Sequence, residues 1–199
     1  DFKVYKKDKE DDFYLIEELW RLFDQAEVVV AHNGKSFDVK KTYAKFIEHG
    51  LPPPSPVRVV DTKLVAKRYF MFNSNKLDDV GNLLGLGRKI DTGGFDLWLG
   101  CAGGDLKSWA KMKKYNKQDV VLLEKVYLKM LPFMVDHPNL SVLDDKRGAC
   151  ANCGEETLQK RGFGIKGQTR VQRYQCQTCG AWCQKSISKT VDNSLAKNK

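Results

Sequence analysis

The sequence predicts an α/β fold followed by a small, cysteine-rich β module. Short β-branched runs alternate with helical periods as far as about residue 131, and five of the six cysteines (Cys150, Cys153, Cys176, Cys179 and Cys183) lie beyond residue 143. Charge follows the same division: residues 144–199 hold 11 Lys+Arg against 5 Asp+Glu, whereas the first 143 hold 23 against 20. Over all 199 residues the net charge is +9, with 42% hydrophobic and 30% charged residues. That balance excludes collagen-like, mucin-like and wholly disordered chains. No run approaches the roughly 20 apolar residues of a membrane span. The excess of cations favours an acidic partner, most simply nucleic acid.

Taken in order, Phe2–Tyr5 alternates weakly and reads as an edge strand, and residues 6–12 form a charge run. Leu15, Leu19, Leu22 and Ala26 keep a helical period. Residues 27–31 (EVVVA) are long enough for a buried strand but too short for a helix. His32-Asn33-Gly34 then turns the chain, and Ser36 is the expected N-cap of a helix over 37–47 that ends at Gly50. The prolines of 51–56 make a stiff connector to a second β run, 57–60, and a helix through Arg68. Further helices fit 76–84 and 105–131. Strands alternating with helices place functional residues at strand ends and helix starts.

Two segments there combine chemistry with position. His32-Asn33-Gly34-Lys35-Ser36-Phe37-Asp38 runs from a strand into a helix with an Asp in its first turn. Tyr115 and Asp119 are four apart and share one helical face. A scaffolded carboxylate beside a tyrosine hydroxyl suits a hard divalent cation and its water, although an early Asp is more often a cap and a buried Tyr more often core. Together the segments resemble the second and third motifs of the DEDD 3′–5′ exonucleases, which have a ribonuclease H-like fold of mixed sheet flanked by helices. The Y-x-x-x-D form points to the DEDDy branch. The likeness is strongest to the exonuclease domain of family B DNA polymerases, where H-N-G-x-x-F-D and L-x-x-V-x-x-L-L-G recur; here these read 32–38 and 77–85. The resemblance covers roughly residues 1–134.

It implies two-metal phosphodiester hydrolysis by Mg²⁺ or Mn²⁺, with Asp38 and Asp119 as metal ligands and Tyr115 orienting the attacking water. Asn33 contacts the terminal nucleotide or holds the loop. Lys35 meets a phosphate or is simply solvated, and packing is favoured over base stacking for Phe37. The family's first motif, D-x-E on the central strand, has one literal match, Asp8-Lys9-Glu10, inside a polar run unsuited to a buried strand. The N-terminal strands are therefore expected to be missing, with Phe2–Tyr5 as the third strand, and the chain alone is expected to be inactive. The alternative is a non-catalytic nucleic-acid-binding or assembly module on a degenerate scaffold.

In the C-terminal stretch, Cys150/Cys153 and Cys176/Cys179 form two C-x₂-C pairs separated by 22 residues. Four such thiolates suit tetrahedral, structural Zn²⁺, and the layout resembles a zinc ribbon with Cys183 as a spare thiol. Paired disulfides or a redox C-x₂-C are the alternatives. A flexible hairpin tip is expected at 162–167 and a strand at 171–176. Lys160, Arg161, Lys166, Arg170 and Arg173, interleaved with Phe163 and Tyr174, suit single-stranded nucleic acid.

The expected organisation is thus an exonuclease domain over 1–136, a linker over 137–147, a zinc ribbon over 148–185 and a flexible tail over 186–199. The expected partner is a nucleic-acid 3′ end, single-stranded DNA slightly ahead of RNA, joined by a missing N-terminal segment or by replication and repair proteins. Without a signal or transit layout, the expected location is a reducing intracellular compartment, cytoplasmic or nucleoid-associated.

Overall fold

The structure, a computed structural model, describes residues 11–143, 146 and 148–187. The expected edge strand Phe2–Tyr5, the Asp8-Lys9-Glu10 triplet and residues 188–199 lie outside these. The chain divides into two compact units, 1–138 and 139–199.

In the first unit the order is α1 (Phe13–Gln25), β1 (Val28–Ala31), α2 (Asp38–Glu48), β2 (Arg58–Asp61), α3 (Thr62–Tyr69), α4 (Leu77–Leu83), α5 (Asp96–Ala102) and α6 (Leu106–Met130). A 3-10 turn over Leu131–Phe133 follows α6. β1 and β2 pair in parallel, from Val28 opposite Arg58 to Ala31 opposite Asp61. Ile16, Phe23 and Phe46 form one core cluster, joining α1 and α2 over Val29 of β1. Leu97, Cys101 and Met112 form a second between α5 and α6, and Leu122 and Val126 of α6 are fully buried.

Three sequence expectations change here. α2 starts two residues after Ser36; Phe37 occupies the cap position without a side-chain bond, because Ser36 belongs to the turn closed by its N–H on the Asn33 carbonyl at 3.2 Å. α5 was not expected, because the glycines around it argue against a helix. The stretch read as linker carries a short helix, α7 (Leu140–Leu143).

The second unit is an antiparallel sheet in the order β3 (Leu158–Lys166), β4 (Thr169–Cys176), β5 (Trp182–Ser186). The expected flexible tip at 162–167 is mostly strand, since β3 runs to Lys166 and only Gly167 and Gln168 turn. Nor does the tail begin at 186: Ser186 pairs with Val171 in β5. β3 carries one extra residue between Lys160, opposite Tyr174, and Phe163, opposite Gln172. Gly162 sits in this bulge at φ 72°, a left-handed conformation that favours glycine.

Candidate functional site

The parallel strands end side by side at Ala31 and Asp61, and the loop after β1 leads into α2. Asn33 takes a left-handed φ of 68°. Gly34 packs so closely that an added Cβ would lie 2.3 Å from the Ala31 Cβ, so no larger residue fits without movement. Asp61 fixes this loop. Its carboxylate, 3% exposed, accepts from the backbone N–H groups of Asn33 (2.9 Å), Lys35 (3.1 Å), Lys63 (3.1 Å) and Leu64 (3.4 Å). It thereby caps α3 and holds the β1–α2 turn at once. Lys63 Nζ donates to Asn33 Oδ1 at 3.2 Å, which supports the loop-holding role for Asn33.

His32 lies beneath, with Nδ1 2.9 Å from the Thr62 hydroxyl and Nε2 3.0 Å from the Asn75 carbonyl. Burial pushes its pKa below the usual imidazole value, so the ring is held neutral. Nε2 faces a carbonyl and so donates to Asn75, while the Thr62 hydroxyl beside Nδ1 also reaches the Ala31 carbonyl, at 3.1 Å.

Asp38 stands in the first turn of α2, exposed, with no hydrogen-bond or ion-pair partner among the described residues. Lys35 is exposed, and Phe37 is exposed too (56%), so the packing expected of Phe37 is not made.

On α6, Tyr115 packs partly against the Leu97–Cys101–Met112 cluster, which orients its ring. Asp119 is half-buried. Lys89 Nζ donates to its Oδ2 at 2.6 Å and lies 3.4 Å from the Tyr115 hydroxyl, while Oδ1 is buried without a partner. Burial alone would lower the Lys89 pKa, but its bonds to Asp119 and Tyr115 outweigh that and raise it. Lys89 is itself tethered, its N–H donating to Asp78 Oδ1 at 2.6 Å. Among the described residues, no third carboxylate or histidine joins Asp38 or Asp119 in a metal-sized cluster.

Such a cluster forms in the second unit. The Sγ atoms of Cys150, Cys153, Cys176 and Cys179 all lie within 4.8 Å of one another. Cys150 and Cys179 are 3.7 Å apart, and Cys153 and Cys176 3.6 Å. Sulfurs around a tetrahedral ion at about 2.3 Å would sit about 3.8 Å apart, whereas a disulfide needs about 2.05 Å. No disulfide joins any of the six cysteines, so the geometry favours the metal reading over paired disulfides. Burial opposes ionisation, yet the Cys179 and Thr178 N–H groups and the Thr157 hydroxyl bring Cys176 down to about 6, while burial pushes Cys153 up to about 11. One thiolate is stabilised and its neighbours resist a second charge, which is the electrostatic setting a dication resolves. The spare thiol, Cys183, lies 3.9 Å from Cys150 Sγ.

A family model for the RNase H superfamily matches residues 1–131. The chain belongs to the RNase H superfamily. No curated protein and no solved structure matches it significantly. Membership carries nuclease-type chemistry on nucleic acid, usually with divalent metal, and the ribonuclease H-like fold expected from the motifs stands. No helix among the described residues is long and apolar enough to cross a membrane.

In this RNase H superfamily protein the basic and aromatic residues of the ribbon do not form one surface. Directly paired residues of antiparallel strands share a face. The register therefore groups Lys160, Phe163, Arg170 and Tyr174 on one side and Lys166 and Arg173 on the other, with Arg161 in the bulge. Asp61, Lys63 and Lys89 were missing from the sequence-based site. Lys89 and Asp61 meet their partners about 30 residues away, so spacing alone gave no signal for either.

Proposed function

We propose that this chain is a 3′–5′ exonuclease-family protein, DEDDy in form, whose scaffold serves metal-dependent hydrolysis of nucleic-acid phosphodiesters, DNA slightly preferred, once a D-x-E motif completes it. Its zinc ribbon grips the substrate. The observation that carries this reading is the pairing of Tyr115 with a half-buried Asp119 whose Oδ1 has no partner. An orphaned carboxylate oxygen in that position fits a cation. Asp38 and Asp119 would hold Mg²⁺ or Mn²⁺, which when bound supplies an activated water and neutralises charge developing on phosphate. Tyr115 would orient that water through its hydroxyl. Asp61 acts at one remove, by keeping the Asn33–Lys35 turn rigid ahead of Asp38.

Two carboxylates supply half of the four that the exonuclease likeness requires. We therefore expect the 199 residues by themselves to release no nucleotides from labelled single-stranded DNA in Mg²⁺ or Mn²⁺. Fusing a strand and hairpin bearing D-x-E ahead of residue 1 should restore 3′-end release, faster on DNA than RNA, and Asp119→Ala should abolish it. Release from the unfused chain that Asp119→Ala removes would refute the need for the fusion.

The Lys89–Asp119 ion pair favours a second reading, a non-catalytic binding module in which the lysine satisfies the carboxylate permanently. A fusion that binds DNA but never cleaves it would establish that reading. For the ribbon, the four-thiolate donor set supports structural Zn²⁺. Metal analysis should find about one zinc per chain.

A further inference from the structure

From Thr157 to Ile187 the chain has six Lys or Arg and no Asp or Glu. The sheet distributes those cations unequally. One face carries Lys160, Arg170 and Lys185, together with Phe163 and Ile165. In an unbroken strand Lys160 and Phe163, three residues apart, would point to opposite faces; the bulge at Gly162 resets the alternation and brings both to this one. Arg170 lies over the Phe163 ring, its guanidinium carbon 3.8 Å from the centroid, and its donors have no other partner among the described residues. Phe163 is still 47% exposed and Ile165 82%. With Gly164 and Gln168 these three residues line a shallow depression near the hairpin tip.

The opposite face differs in kind. Arg173 lies along the sheet with its Cδ only 3.1 Å from where a Gly164 Cβ would stand. Its guanidinium carbon is 5.9 Å from the Trp182 ring. Its neighbours Gln159, Gln175 and Gln184 are neutral, and the other cation of this face, Lys166, stands apart beside the hairpin turn.

We propose that the face built by Lys160, Phe163, Ile165, Arg170 and Lys185 is the single-strand-binding surface of the ribbon, and that the Arg173–Trp182 face is not. This deepens the substrate-gripping role assigned above and rests on it. Stacking on Phe163 holds the Arg170 guanidinium flat while leaving its N–H edges free, which suits two phosphate oxygens. The ring and Ile165 offer apolar contact that only unstacked bases reach. Lys160 and Lys185 flank the aromatic and add phosphate contacts without sequence preference.

The test is equilibrium binding of a short labelled oligonucleotide to the full zinc-loaded chain without Mg²⁺ or Mn²⁺, so that no hydrolysis intervenes. Phe163→Ala and Arg170→Ala should each weaken single-stranded binding about tenfold, as expected for loss of one stacked base or charged anchor. Lys160→Ala or Lys185→Ala should each reduce the log–log salt slope by about 0.7. Arg173→Ala and Trp182→Ala should leave affinity unchanged, and duplex should bind more weakly than single strands. Unchanged zinc content in each variant separates lost contact from lost fold. Binding that fails in Arg173→Ala and Trp182→Ala but survives in Phe163→Ala and Arg170→Ala overturns the choice of face and leaves the gripping role intact. Equal affinity for polyglutamate and DNA overturns the ligand class. Absence of wild-type binding overturns the gripping role as well.

Discussion

In the first unit, residues distant in sequence hold the site together: Asp61 reaches the Asn33 and Lys35 amides across 28 and 26 residues, and Lys89 reaches Asp119 across 30. In the second, each C-x₂-C pair is closed by its own turn, with Gly154 N–H on the Cys150 carbonyl at 2.8 Å and Gly180 N–H on that of Cys176 at 3.0 Å. The contrast extends to the cores. α6 buries Leu122, Val126 and Met130, whereas the ribbon's buried cluster is Cys150, Cys176 and Ala181, ringed by other cysteines and Leu158. A site assembled over long range inherits its order from packing. A site assembled from two local turns has each half at hand, but the halves meet across 29 and 23 residues with little apolar area to hold them, so a bound ion would supply the folding energy.

The contrast breaks most visibly under chelation. Structural zinc contributes about 10 kcal/mol or more to folding in such modules, so metal removal should unfold the second unit and spare the first. Hydrogen exchange should show protection lost across residues 158–186 and kept across 106–130. A ribbon that stays protected would mean that its core suffices alone.

Asp61→Ala is the counterpart in the first unit. It strips four N–H groups of their acceptor and should cost roughly 3 kcal/mol, read as a lower urea midpoint with zinc content unchanged.

A smaller effect is a pH dependence of the first unit. The folded-state pKa of His32 is depressed by burial, and that of His137 likewise. Stability is therefore full above the unfolded imidazole value of about 6.5 and falls as the pH drops toward the depressed folded values. Urea midpoints of the first unit should decline in that window, and less so in His32→Gln; an unchanged decline would remove His32 from the account.

Smallest of all is Cys183→Ser. This thiol stands beside the four but outside their set, so about one zinc per chain should remain and stability should shift by less than about 1 kcal/mol. Loss of zinc in this variant would make Cys183 a ligand.

Local patterns were the legible part of the sequence. The β-branched run of β1, the glycine after α2 and the apolar period of α6 each declare an element, and both C-x₂-C pairs declare a cluster. What pairs across distance was not legible. Lys89 sits in a polar, glycine-rich segment that reads as loop, and only the packing of α4 and α6 brings it to Asp119. β5 was missed because Trp182–Ser186 shows no apolar alternation; it forms because β4 offers a free edge. The basic residues of the ribbon were found, but not their sides, since side depends on a bulge that strand periodicity does not reveal.

That bulge makes the hairpin's side chains behave like a reading frame. One unpaired residue sets the phase of everything between it and the turn: with every residue kept and the bulge ironed out, Gly162 would stand opposite Gln172 and the two surfaces of the outer half of β3 would exchange. Phe163 and Ile165 would then leave Arg170, and the exchange would register as loss of oligonucleotide affinity with the zinc retained. Deleting Gly162, by contrast, removes the extra residue and leaves Phe163 opposite Gln172, so phase and affinity should both be kept.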